Sequence, residues 1–252
     1  MINIKGLNIS YNDKTVLKDI NCSFSDSSLT VILGPNGSGK TTLIKSAIGL
    51  IDKNYGKIEI DGKQLDEMSL KERARKVSYL SQNRNVPCIT TERMVLHGRF
   101  PYMSWPRRYT KKDWDIVYAS MEKTDCLSLK GRMISELSGG EKQKVYLAMS
   151  LAQDTKSIFM DEPTTYLDIA HQLSLMNMVK ELTKKGKSVI MVLHDLGLAL
   201  QFADNILVLK DGKVIKEDTR DNIYNSNILN DVFNVKICKS SNHFYIESKE
   251  DN

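Results

Sequence analysis

Residues 29–42 read Leu29-Thr30-Val31-Ile32-Leu33-Gly34-Pro35-Asn36-Gly37-Ser38-Gly39-Lys40-Thr41-Thr42, and this stretch decides the fold. Five apolar or β-branched residues form a short strand that stops at Gly34. The eight residues from Gly34 to Thr41 then fit G-x-x-x-x-G-K-[ST], and a helix is predicted from Lys40 to Leu50. Strand before and helix after is the context that gives the pattern meaning. Glycines let the backbone close around phosphate oxygens, so that successive N–H groups point at the anion. The helix N-terminus adds its partial positive charge. Lys40 is expected to reach the β- and γ-phosphates, and the Thr41 hydroxyl to hold Mg²⁺. The stretch is a nucleotide-phosphate cradle.

Further along, short β-type runs alternate with helical runs, the pattern of a mostly parallel sheet covered by helices. The runs Ser157–Met160 and Ser188–Leu193 each end in polar, chemically capable residues. In open α/β sheets ligands collect at such carboxyl ends. Asp161 and Glu162 sit at one of these tips. Hydrolysis of a phosphoanhydride needs one carboxylate near Mg²⁺ and another to polarise water. Asp161 suits the metal side and Glu162 the general-base side. His194 ends the next run and is a candidate to contact the γ-phosphate or the attacking water. Gln82, after Val77–Ser81, stands at a third edge, where its amide can ligate Mg²⁺ or sense the γ-phosphate.

Other stretches read as antiparallel. Asp61-Gly62 and Asp211-Gly212 each lie between β-type runs, a strong hairpin signal. From about 83 to 152 strands are scarce and helical periodicity dominates, interrupted early by Pro87, Pro101 and Pro106, so an inserted helical lobe is expected. Within it, Leu137-Ser138-Gly139-Gly140-Glu141 opens a helix, with Ser138 a good N-cap and two glycines leaving N–H groups bare. That describes a second anion site.

Bulk properties bound the setting. The 252 residues are 41% hydrophobic and 27% charged, with a formal charge of +5, ordinary for a globular chain. No apolar run approaches the ~18–20 residues of a membrane-spanning helix. The four cysteines, Cys22, Cys88, Cys126 and Cys238, show no metal or redox spacing, as in a cytosolic protein with reduced thiols.

The cradle, Gln82, Leu137–Glu141, Asp161-Glu162, Leu167-Asp168 and His194 stand in the order and spacing of ABC ATPases, and the chain resembles that family over about residues 2–220. The resemblance implies an α/β P-loop (RecA-like) core with an antiparallel β subdomain and an inserted helical subdomain. It implies one ATPase domain over residues 1–220, followed by a short C-terminal tail at 221–252. It also implies a head-to-tail homodimer in which each ATP lies between one protomer's cradle and the other's signature motif.

Carried over residue by residue, Gly34, Asn36, Gly37, Ser38, Gly39, Lys40, Thr41 and Thr42 bind ATP phosphates, and Thr41, Gln82 and Asp161 serve Mg²⁺. Glu162 is the expected base and His194 the switch histidine. Ser138, Gly139 and Gly140 would contact the γ-phosphate held by the other protomer, Asp168 would lie at the protomer interface, and Tyr11 would stack on adenine. Two positions depart from the family pattern: Glu141 replaces the commoner glutamine, and Lys144 the usual arginine, whose bidentate contacts lysine cannot reproduce.

Thr164–Gln172 and Gly98-Arg99-Phe100-Pro101-Tyr102 are similar to the ATPases of importers for iron–siderophores, haem and vitamin B12, with iron–siderophore the favoured cargo and haem or vitamin B12 the alternative. The resemblance implies polytopic permease partners, indirectly an extracytoplasmic substrate-binding protein, and a place at the cytoplasmic face of the membrane. Trp105, Arg107, Arg108, Tyr109 and Trp114 interleave basic and aromatic residues, which also suits nucleic acid or ribosomes. ABC ATPases of that kind typically carry a second cassette or a long coiled coil; this chain has one cassette and neither addition, so no nucleic acid is expected.

Overall fold

A computed structural model describes residues 1–12, 14–82, 86–103, 105, 108–165, 167–240 and 243–248. Pro106 and Arg107, with Asn83 at the start of the expected helical lobe and Tyr166 within Thr164–Gln172, lie outside the described residues. In chain order the strands are β1 (Ile2–Tyr11), β2 (Lys14–Phe24), β3 (Leu29–Leu33), β4 (Tyr55–Ile60), β5 (Lys63–Gln64), β6 (Val77–Leu80), β7 (Ser157–Asp161), β8 (Ser188–Val192), β9 (Asn205–Lys210), β10 (Lys213–Thr219), β11 (Val235–Ser240) and β12 (His243–Ser248). The helices are α1 (Lys40–Ala47), α2 (Leu70–Lys76), α3 (Thr91–Leu96), α4 (Lys111–Lys123), α5 (Gly139–Ala152), α6 (Ile169–Lys184), α7 (Leu196–Phe202), α8 (Arg220–Asn225) and α9 (Ile228–Phe233).

The chain divides into two compact units, one of residues 1–67 with 178–252, the other of residues 68–177. In the first, β9, β3 and β8 form a parallel ladder, with Ile32 opposite both Val192 and Leu207. All five residues of β3 and all five of β8 are buried. That explains their continuous apolar runs, since a strand covered on both faces has no polar side to alternate with. An antiparallel sheet of order β2-β1-β4-β5 completes the α/β composition. Both Asp-Gly hairpins form, and each pair takes positive φ at both positions: Asp61 50° and Gly62 79°, Asp211 50° and Gly212 75°. This is the backbone of a two-residue turn whose twist matches its strands.

The helix after the cradle ends three residues earlier than the sequence suggested, at Ala47 rather than Leu50. Gly49 adopts φ 73°, its N–H donates to the Ser46 carbonyl, and the Leu50 N–H donates to that of Lys45. This left-handed glycine stop satisfies the last carbonyls and turns Leu50 outward, 62% exposed. Beyond Arg220, where the sequence offered only a short tail, α8, α9 and the β11–β12 hairpin fold, burying Ile223, Leu229, Val232 and Ile237.

In the second unit β6 and β7 are parallel, with Leu80 opposite Met160. Helices α3, α4 and α5 surround a core of their own that includes Val95, Val117, Met121, Val145 and Ala148. A 3-10 segment, His97–Tyr102, is clamped onto it. The buried Arg99 guanidinium donates to Asp113 Oδ1 at 3.0 Å and to the Ala152 carbonyl at 2.8 Å, and lies 4.1 Å from the Tyr102 ring centre. Gly98 is needed for the approach, because a Cβ there would stand 2.3 Å from the Met149 carbonyl oxygen.

Gly98→Ala is therefore expected to destabilise the chain by about 1–3 kcal/mol, the usual cost of overpacking against a neighbour that cannot yield. A urea titration checks this; an unchanged midpoint would show that the segment is held loosely.

Candidate functional site

In the first unit, the end of β3 becomes the cradle because three positions need a missing side chain or a reversed φ. A Cβ on Gly34 would lie 2.1 Å from the Leu209 carbonyl oxygen and 2.7 Å from Ser38 Oγ. Gly37 and Gly39 take φ 77° and 102°. Gly39 caps α1, where an added Cβ would also strike Leu17 Cδ2 at 2.6 Å. Lys40 is only 6% exposed, and its Nζ donates to the Gly34 and Pro35 carbonyls at 2.8 and 3.0 Å. The ammonium is thus folded back over the loop that it closes.

Ser38 Oγ is buried and, among the described residues, has no hydrogen-bond partner. An orphaned hydroxyl of this kind costs about 1–3 kcal/mol unless an acceptor arrives, and phosphate oxygen is a fitting one. The residues around it suit a nucleotide.

Beside Gly37 opens a cleft of about 880 Å³ lined by Tyr11, Lys14, Val16, Lys18 and Gly212 among others. Tyr11 is 46% exposed there, and Lys14 and Lys18 line the same cleft. The parallel register carries His194 to the same edge. Val192 pairs with Ile32, and Gly34 and His194 each follow two residues later. His194 is exposed, and Asp195 after it caps α7 by accepting the Leu198 N–H at 2.9 Å, which anchors the chain as it leaves the histidine.

The second unit repeats this logic at β6 and β7. Because Leu80 pairs with Met160, Gln82 and Glu162 fall in one row, and the Gln82 Nε2 donates to Glu162 Oε2. Asp161, the last residue of β7, is 1% exposed and accepts from the Tyr79 hydroxyl at 3.3 Å. Glu162 has φ 49°, a left-handed conformation rare outside glycine and asparagine. Such strain concentrates at functional positions. It turns the Glu162 side chain away from the direction strand alternation would give it.

The signature segment is a helix start with a complete capping box. Ser138 Oγ accepts the Glu141 N–H at 3.3 Å, and the Ser138 N–H donates to Glu141 Oε2 at 2.8 Å. The Glu141 that replaces glutamine is thus a reciprocal cap. The Ser138 N–H, with Arg132 3.1 Å away, holds its carboxyl below the ordinary glutamate range, so it is charged at neutral pH and paired. Lys144, at the usual arginine position, bonds Asp125 at 2.8 Å. Asp168 caps α6: its Oδ1 accepts the His171 N–H and lies 2.8 Å from His171 Nδ1. These contacts keep Asp168 below the usual aspartate range.

Sequence reasoning did not anticipate Tyr79 on Asp161, His171 on Asp168, or the Gln143 amide that donates to the Pro163 carbonyl at 2.7 Å. Only spacing hints at the last, since Gln143 stands two residues beyond Glu141 on the same helix.

Residues 17–165 match the ABC transporter family. The iron(3+)-hydroxamate import ATP-binding protein FhuC of Bacillus subtilis is 37% identical over 231 residues, 91% of this chain and 86% of that protein. This chain belongs to the ABC transporter family. The ferric enterobactin transport ATP-binding protein FepC of Escherichia coli K12 is 33% identical over 91% of this chain and 86% of its own length. The dimeric structure of a bacterial ABC transporter cassette superposes with a TM-score of 0.79 at 26% identity, covering 87% of this chain and 99% of that one. ATP hydrolysis coupled to transport is characteristic of such cassettes. Among the described residues, no helix is long and apolar enough to cross a membrane.

Ser38→Ala separates the two roles of the cradle. Without nucleotide the variant is expected to be as stable as the parent or about 1 kcal/mol more so, having lost an unsatisfied hydroxyl. Its ATP affinity is expected to fall about tenfold or more through a missing charge-assisted bond. Thermal unfolding with and without ATP reads both, and an unchanged ATP shift would remove Ser38 from the site.

Proposed function

We propose that this chain is the ATP-hydrolysing subunit that powers an ABC importer of ferric siderophores, working as a homodimer against polytopic permease subunits at the cytoplasmic face of the membrane. An extracytoplasmic binding protein would deliver the cargo. The observation that carries the reading is the likeness, at 37% and 33% identity over nine-tenths of the chain, to proteins named for iron(3+)-hydroxamate import and ferric enterobactin transport. The dimeric cassette supports the paired state.

The resemblance to ABC ATPases, together with residue chemistry, supports the following roles. Gly34, Asn36, Gly37, Gly39 and Thr42 line the cradle; Ser38 and Lys40 bind its phosphates, and Tyr11 stacks on adenine. Glu162 takes the proton of the attacking water, with Gln82 orienting it and His194 reaching the γ-phosphate from the sheet edge. Ser138, Gly139 and Gly140 bind the γ-phosphate of the partner's ATP, and Asp168 faces the partner. A buried Asp161 carboxylate, the Thr41 hydroxyl and the Gln82 carbonyl are hard oxygen donors, the kind that hold Mg²⁺ together with nucleotide phosphates. The ion, when bound, neutralises charge on the phosphates. In domain terms, residues 1–220 form the ATPase, with about 83–152 as its helical subdomain and 221–252 as a C-terminal extension.

Glu162→Gln is expected to leave ATP binding intact and to lower turnover about 100-fold or more, the usual worth of a general base, while an ATP-bound dimer accumulates. Gel filtration with ATP and a phosphate-release assay check this; parental turnover would reassign the base. Ser138→Arg is expected to abolish hydrolysis while each monomer still binds ATP, and lost monomer binding would move Ser138 to the same-chain site. For the cargo, a strain deleted for this chain is expected to lose growth on ferric siderophore but not on ferrous iron. Loss on haem or vitamin B12 instead would redirect the assignment.

A further inference from the structure

Between the tip of β7 and the start of α6 runs the loop that carries Glu162 at one end and Asp168 at the other. Its Asp168 end is pinned from α6. His171 holds the Asp168 carboxylate, and Gln172 Nε2 donates to the Leu167 carbonyl at 3.1 Å. Its Glu162 end is held differently. The Gln143 Nε2 donates at 2.7 Å to the carbonyl of Pro163, the residue immediately after Glu162. Gln143 belongs to α5, the helix that Ser138 caps and whose first turn carries Gly139 and Gly140.

We propose that Gln143 is a positioning residue that ties the orientation of Glu162 to the signature helix of the same chain. Glu162 holds φ 49°, a conformation that neighbouring contacts must maintain, because nothing in a glutamate favours it. The Glu162 carbonyl accepts the Thr165 N–H at 3.3 Å and the Pro163 carbonyl accepts from Gln143, so both peptide units after the strained residue are fixed. Gln143 is half-buried in the first two turns of a fourteen-residue helix, and α5 acts there as a rigid arm. A shift of α5 when its N-terminus engages an anion is transmitted through this 2.7 Å bond to the backbone that aims the carboxylate. The inference rests on the roles proposed above for Ser138 and Glu162. It adds a link within one protomer, between the segment proposed to serve the partner's ATP and the base proposed to serve its own.

The test uses the full chain with ATP. Gln143→Glu keeps the size of the side chain and removes the donor, and Gln143→Met does the same with an apolar group should the charged variant fail to fold. Expected for either is a fall in kcat of about tenfold to a hundredfold, the scale of a reacting group displaced by about an ångström. The KM for ATP should stay within about twofold. Placed in the Glu162→Gln background, the same change is expected to leave ATP-driven dimerisation intact, because anion capture at Ser138–Gly140 does not pass through Gln143. Parental kcat in a folded variant overturns the proposal. So does joint loss of dimerisation and turnover, which would make Gln143 part of the anion site itself. A parental chain without ATPase activity, or one insensitive to Glu162→Gln, would instead defeat the functional reading on which the link rests.

Discussion

Parallel strand pairing is the constraint from which the chemistry of this chain follows. In a parallel ladder, neighbouring strands run out at the same edge, and whatever comes next in each chain segment is delivered there. Ile32 opposite Val192 brings the cradle and His194 to one row, and Leu80 opposite Met160 does the same for Gln82 and Glu162. Each strand delivers one or two polar residues at its tip. The cost is that these strands must be mostly apolar, as β3, β7 and β8 are, since they are buried along their whole length.

Backbone conformation does as much as side-chain identity. The cradle depends on Gly34 lying where even a methyl group would overlap the Leu209 carbonyl, and on two glycines with reversed φ. Glu162 takes a similar conformation without being glycine, and its neighbours hold it there. The signature segment uses a different device, a capping box in which Glu141 closes on Ser138. The two segments proposed to bind anions therefore arise from unlike local rules, one from glycine geometry and one from helix capping.

The two departures from the family pattern find local partners. Glu141 brings a negative charge to a segment expected to meet phosphate, and Arg132 stands beside it at 3.1 Å. Lys144 gives up the forked contacts of arginine yet still reaches Asp125. A point charge is enough for an exposed aspartate; a planar fork would matter only where two acceptors must be met at once.

Much of this was legible in residue order. Strand, glycine-rich turn and helix at 29–47, the two Asp-Gly hairpins, the Ser138 cap and the acidic tip after Met160 follow from short-range rules, because the groups that interact lie within a few residues of one another. What tertiary structure decided involves partners far apart in the chain. The orphaned Ser38 hydroxyl, Tyr79 on Asp161 and Gln143 on Pro163 depend on which strands lie side by side. The end of α1 and the elements formed beyond Arg220 were not legible in the sequence for related reasons. A helix stop at Gly49 competes with an apolar run that continues through Leu50 and Ile51, and the two short final helices are held by burial of residues such as Ile223 and Leu229 rather than by propensity. Local sequence sets which groups are available for chemistry, whereas long-range packing sets which of them meet, since only burial and register bring residues eighty positions apart within reach of a single hydrogen bond.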